Sequence, residues 1–322
     1  MAGGQERILR RRIKSIQSTK KITKAMELIA ASQIVRAQAR IAAARPYHQG
    51  MARIVLETAL GDPDAAGRLL GTPESVSKVA VLSVVADRGL CGGYNTSVFR
   101  ATERLLASEA DSGVEYRLFS VGKKAQNYFR YRGQPVEQSF IGMSERPSFT
   151  HAREVAAAVL TPFVNGEVDQ VMIVSTRFLS AGAQKVEVRQ LLPLVDPREA
   201  EGDDQSGDVD SLSVDHSSGP HGYTEFEPDA AILLQTLAPR AAETEIFAAL
   251  LEASASELTA RQRAMAAATE NAGELIKKYS RIMNRARQDT ITTEIMEIVS
   301  GAEALRAGAD DDEGGLIIEA KV

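Results

Sequence analysis

All eleven prolines of this 322-residue chain lie between Pro46 and Pro239. Proline removes a ladder hydrogen bond and clashes with the carbonyl four residues back, so it interrupts helices. Its absence from the first 45 and last 83 residues permits very long helices at both ends. Aromatic residues mark the same division. Thirteen of the sixteen fall between Tyr94 and Phe226, where a conventional core would need their bulk.

The C-terminal segment has a seven-residue repeat. Leu251, Leu258, Met265, Ala272, Tyr279 and Ala286 form one row, and Ala255, Gln262, Thr269, Ile276 and Met283 a second, four positions on. A sustained heptad is the mark of a left-handed coiled-coil seam. From Pro228 to Leu305 such a helix would extend about 115 Å at ~1.5 Å per residue. The N-terminal segment is its natural antiparallel partner, with small residues letting the axes approach closely. In "KKITKAMELIAASQIVRAQARIAAA" (20–44) only Ile22, Met26, Leu28, Ile29, Ile34, Val35 and Ile41 are bulky, and alanines and cations fill most of the rest. Residues 1–45 carry eleven Lys/Arg against Glu6 and Glu27, although the whole chain is at −5. Such a segment seeks an acidic partner: nucleic acid, lipid or a protein surface.

Between the helical ends the pattern is α/β. "VSKVAVLSVVAD" (76–87) is an apolar strand run, and a helix follows over 95–110 with Asn95 or Thr96 as its cap. Strand (114–122), helix (123–133), strand (135–143) and helix (148–166) come next, then a closing antiparallel pair (169–178, 183–194). This alternation predicts a mostly parallel sheet covered on both faces. The expected division is an N-terminal coiled-coil helix (1–60), a central α/β domain (75–227), a C-terminal coiled-coil helix (228–305) and a flexible acidic tail (306–322). Within the central domain, 198–220 reads as an acidic, disordered surface loop.

Several sites are tempting. "ADRGLCGGYN" (86–95) ends a strand and opens a helix, where phosphate loops sit. It lacks the spacing of either glycine-rich nucleotide fingerprint, so Asp87, Arg88, Gly89, Cys91, Gly92 and Gly93 read as a structural turn. The lone Cys91 excludes an internal disulfide framework and has no histidine near it in sequence. His216 and His221 offer too few ligands for a metal. No apolar run reaches the ~18 residues of a membrane span, and the N-terminus has no signal-peptide pattern. A nucleotide-binding enzyme would need the missing phosphate motif. A coiled-coil adaptor or nucleic-acid-binding scaffold is the alternative reading, although the basic segment has no aromatic before Tyr47.

"KITKAMELIAAS" (21–32), "RPY" (45–47), "DRGLCGGYN" (87–95), "FEPD" (226–229) and "NRARQDTITTEIMEIVSGAEAL" (284–305) together resemble the γ subunit of F-type ATP synthase, in the same order along the chain. The resemblance implies two long terminal helices forming an antiparallel coiled coil, plus a central Rossmann-like α/β domain. It implies a rotor that turns within a hexamer of three α and three β subunits. Its foot would stand beside ε on the c ring, at the cytoplasmic side of the plasma membrane, without inserting. It implies no cofactor, no metal, no nucleic acid and no catalytic residue of its own. Met26, Arg287 and Gln288 match positions that contact β, and Glu227 matches a carboxylate of the foot facing the c ring. Lys24 and Arg36 are nearby cations. Two departures stand out: the acidic loop is long, without the paired cysteines of the light-regulated plant form, and the tail extends past the usual end.

Overall fold

The computed structural model describes residues 2–61, 70–71, 73, 75–194 and 227–313. The acidic loop at 198–220, His216, His221 and residues 314–322 lie outside them. Helix α1 spans Ala2–Gly61. Strand β1 (Lys78–Val84), helix α2 (Tyr94–Asp111), β2 (Glu115–Val121), α3 (Lys123–Tyr131), β3 (Val136–Phe140), α4 (Phe149–Val164), β4 (Gln170–Phe178) and β5 (Gln184–Leu192) follow. Helix α5 spans Ala230–Glu313, so the first residues of the expected flexible tail continue the helix.

The strand order is β3-β2-β1-β4-β5, parallel throughout except for the β4–β5 pair. Six consecutive residues of β1 are buried, as expected of a central parallel strand covered on both faces. On one face Leu82, Val84, Phe119 and Ile173 pack against Val155, Val159 and Phe163 of α4 and against Ile246 and Leu250 of α5. On the other, Val79, Val81 and Leu118 meet Val98 and Phe99 of α2 and Phe129 of α3. Helix α4 opens on a capping box: Ser148 Oγ accepts from the His151 amide, and His151 Nδ1 from the Ser148 amide, both at 3.3 Å. Helix α2 is different from expectation. Its N-cap is Gly93, with no side-chain cap, because Asn95 turns its Oδ1 to the Ala86 amide (3.0 Å) and ties the helix start to the end of β1.

The described residues form two compact units that divide both long helices. One holds those up to Met26 and from Met265 onward; the other is Glu27–Ala264. Within the first, Arg12 lies over the Tyr279 ring (5.1 Å), Lys20 lies beside Gly273, and Thr269 Oγ1 donates to Thr23 Oγ1 (2.8 Å). As one number rises the other falls, which is antiparallel pairing. Within the second, Ile34 and Ala37 pack with Ala255 and Leu258, His48 meets Glu245, and Val55 packs with Leu234 and Ala241. That pairing is antiparallel too. The heptad is visible as burial: Leu251, Leu258, Met265, Ala272 and Ala255 are buried.

Both long helices contain a proline, Pro46 and Pro239, so the proline-free ends understate their reach. Each costs a ladder hydrogen bond. Tertiary contacts close by, including His48–Glu245, hold the helices through these weak points.

Candidate functional site

The turn after β1 sits where the strand order reverses between β1 and β4, the place where doubly wound sheets receive ligands. Here the chain's own α5 fills that crevice. Tyr94 donates its hydroxyl to the Ala253 carbonyl (3.2 Å), Ser254 to the Glu145 carbonyl (3.0 Å) and Ser256 to the Thr176 carbonyl (3.4 Å). Ala86, Cys91 and Tyr94 pack on Ala260, and a side chain on Gly92 would meet Ala264. Arg263 caps the β4–β5 turn through the Ala181 and Gly182 carbonyls. The carboxyl ends of β1 and β4 and the loop after β3 therefore grip one stretch of helix, 253–264.

The residues of the turn are spent on this grip. Asp87 accepts from the amides of Lys123 (2.9 Å) and Ser144 (3.1 Å), and its own amide donates to Ser144 Oγ (2.9 Å). Burial opposes its ionisation, but the amides of Gly142, Lys123 and Ser144 outweigh it, and its pKa falls. Gly92 adopts φ +58°, a conformation open to glycine, while Leu90 holds φ +65° with its side chain exposed. Gly89 lies against the stem of Lys124, and Gly93 caps α2. Burial raises the Cys91 thiol pKa, which disfavours the thiolate a nucleophile would need. Arg88 reaches Glu145 at 3.3 Å.

Beneath the turn lies a buried pair that the sequence did not announce. Glu257 is 1% and Arg261 6% exposed, and they meet at 2.7 Å. Arg261 also faces Glu145 at 3.7 Å. Burial pushes the Glu257 pKa up, against the pull of Arg261. Four-residue spacing on one helix was the available signal; nothing in it distinguished a buried pair from a solvated one.

The remaining sequence-derived positions are dispersed. Met26 is half-buried on α1, three residues beyond Thr23 and so near the Thr269 level. Arg287 and Gln288 are exposed on α5, about 30 Å further along that helix at ~1.5 Å per residue. Glu227, exposed just before α5, belongs to the other unit. The structure assembles no single centre from these residues. Among the described residues, no group of three His, Cys, Asp or Glu side chains could hold a metal ion.

Several bulky residues of α1 point away from the seam. Ile22 in one unit, and Leu28, Ile29 and Val35 in the other, are each more than half exposed. The seam uses Leu9, Ile13, Ile16, Lys20 and Thr23 in the first unit and Glu27, Ala30, Ile34, Ala37, Ile41, Ala44 and His48 in the second, at alternating spacings of four and three. Half-buried polar and small residues hide this register from a hydrophobicity reading. The outward apolar residues alternate with exposed cations such as Lys21 and Arg36, a mixture suited to protein contact.

The fold and these surfaces define an antiparallel two-helix coiled coil combined with an α/β module whose ligand crevice is filled by its own helix. The ATP synthase family profile matches residues 5–305. The chain is 45% identical over 310 residues to the ATP synthase gamma chain of Parafrankia sp., covering 95% of this chain and 99% of that one. It is 42% identical over 316 residues to the gamma chain of Mycobacterium tuberculosis, at 93% and 97% coverage. It belongs to the ATP synthase gamma chain family. A chain of the Euglena gracilis mitochondrial ATP synthase shares the fold at TM-score 0.66 and 19% identity, over 99% of this chain and 100% of that one. A chain from the Tetrahymena thermophila enzyme's central stalk and c ring aligns at TM-score 0.55 and 24% identity, over 77% and 99%.

Proposed function

We propose that this chain is the central rotor of an F-type ATP synthase, turning inside a hexamer of α and β subunits and coupling ion flow through a c ring to the conformations of β. One observation carries the physical case. Every residue of α5 from Ile291 to Ala304 is exposed, including Ile291, Ile295, Met296, Ile298 and Val299. Such an apolar helix face in water marks a surface that a partner covers. The similar solved chains come from a central stalk with its c ring and from a rotor, which supports the same assembly.

In this reading Met26, Arg287 and Gln288 meet β, and Glu227 lies in the foot facing the c ring, beside ε. Each angle of the rotor favours one set of β conformations, and ligands on β bias the angle in return. Cations and modest apolar side chains give contacts that break as the angle changes. The expected division is a coiled coil of residues 1–60 and 228–305 with the α/β domain at 75–227. The chain would be held peripherally at the cytoplasmic side of the plasma membrane; no helix among the described residues is long and apolar enough to cross it.

The test is assembly. The chain is mixed with α and β subunits from the same source, and the complex is weighed while ATP hydrolysis is assayed. One copy per three αβ pairs, with hydrolysis dependent on this chain, is the expected result. A well-folded chain that stays apart, or forms a homodimer, would overturn the proposal.

A further inference from the structure

Glu245 uses both carboxylate oxygens to join three elements. Its Oε2 meets His48 Nε2 of α1, and its Oε1 meets Arg189 of β5 at 2.5 Å. The junction lies two residues past Pro46, where α1 has lost a ladder hydrogen bond. Packing at this crossing is incomplete. A cavity of about 330 Å³ opens between Ala44, Tyr47 and His48 of α1, Phe149 of α4, and Thr244 and Phe247 of α5. At Ile34 and Ala37 apolar side chains close the seam, whereas here a His–Glu–Arg contact joins the elements beside the cavity.

We propose that the His48–Glu245–Arg189 junction is a proton-sensitive tie, which fastens this stretch of α1 to α5 when His48 is charged and lets it loosen when His48 is neutral. The groups facing His48 are Glu245 and Glu252 on α5 and Arg189 on β5. Arg177 of β4 faces both glutamates and pairs with Glu187 of β5 at 3.5 Å. Burial raises the Glu252 pKa, and Glu245, whose pKa is lowered, is the carboxylate in direct contact with His48 and Arg189. The proton on His48 is accordingly the variable part of the cluster.

The hydrogen bond to Glu245 raises the His48 pKa, although burial and the charge of Arg189 oppose it. A raised histidine pKa fixes the direction. The tie is complete below the ordinary histidine pKa of about 6.5 and is lost as pH rises through the elevated value. A neutral His48 still donates one hydrogen bond to the Glu245 carboxylate but no longer forms an ion pair with it. The inference concerns this chain alone and stands whether or not the rotor reading holds.

The experiment uses the full chain. The four histidines are followed by NMR from pH 5.5 to 9, with His48 assigned by its loss in His48→Gln. Amide exchange across 44–56 and 241–248 is measured over the same range and corrected for intrinsic pH dependence. The expected result is a His48 titration above the ordinary histidine value of about 6.5, and local opening that rises with it, by about tenfold for each unit of elevation. In Glu245→Gln, which keeps the side-chain shape, the His48 titration should fall back. Opening in His48→Gln should be flat with pH. A His48 titration unmoved by Glu245→Gln, or corrected opening in the native chain that is flat across its titration, would overturn the proposal.

Discussion

At the scale of single residues, the strongest constraint is the buried charge of Glu257 and Arg261. Taking two charges from water costs several kcal/mol, and removing one partner leaves the other uncompensated. Glu257→Ala should therefore destabilise the chain by about 3–5 kcal/mol in urea unfolding. Glu257→Met combined with Arg261→Leu should cost far less, since it removes both charges and fills their volume. Glu245 gives a second residue-scale outcome. Burial disfavours its charge, but the His48 hydrogen bond and the Arg189 charge prevail and hold its pKa at about 2 against an ordinary 4.5. A depressed carboxylate contributes stability that is complete above its ordinary pKa and lost as pH falls through the lower value. Unfolding measured between pH 5 and pH 2 should lose about 2–3 kcal/mol that Glu245→Gln does not lose over the same interval.

At the scale of elements, the order of strands and helices followed from apolar runs and turn residues, and so did the closing antiparallel pair. The heptad of α5 was equally legible, because Leu251, Leu258 and Met265 are large and buried. The matching register in α1 was not. Its seam is made of residues such as Lys20, Thr23, Ala30 and Ala37, whereas Ile22, Leu28, Ile29 and Val35 face outward. Bulky apolar residues lie on both faces, with Ile34 and Ile41 in the seam, so hydrophobicity alone did not single out the face that pairs. The phosphate-loop question was answered in part by spacing, since the fingerprints were absent. That α5 itself fills the crevice could come only from tertiary structure: Ser254, Ser256 and Arg263 are unremarkable in sequence and find their carbonyl partners 80 or more positions away. The antiparallel register can be checked directly. With Thr23 and Thr269 in hydroxyl contact, the Thr23→Cys, Thr269→Cys chain should form an internal disulfide under mild oxidation, seen as a mobility shift without reductant. A pairing of Thr23→Cys with Gly301→Cys should form none, because antiparallel order places position 301 beyond the partner of Arg12, toward the end of α5.

At the scale of the whole molecule, a rotor must be rigid within itself while its contacts with partners remain breakable. Within the unit Glu27–Ala264 the interior ties serve the first demand by burial: the α/β domain grips α5 through main-chain carbonyls, and Glu257 and Arg261 fix that stretch of helix in one register. The surface meets the second by exposure. Arg287 and Gln288 are exposed on α5, with planar groups suited to paired hydrogen bonds to a carboxylate or carbonyl. Charge-assisted hydrogen bonds of this kind contribute about 1.5–3 kcal/mol each, enough to favour one angle and small enough to be exchanged at the next. Arg287→Ala with Gln288→Ala should therefore leave the circular dichroism and unfolding midpoint of the isolated chain nearly unchanged. In the assembled enzyme it should lower ATP synthesis by about tenfold or more, with a smaller effect on assembly itself. The separation of the two readouts is the critical point. Loss of stability in the isolated chain would make these residues part of the coiled coil's own support, and undiminished synthesis would remove them from the contact through which rotation acts on β.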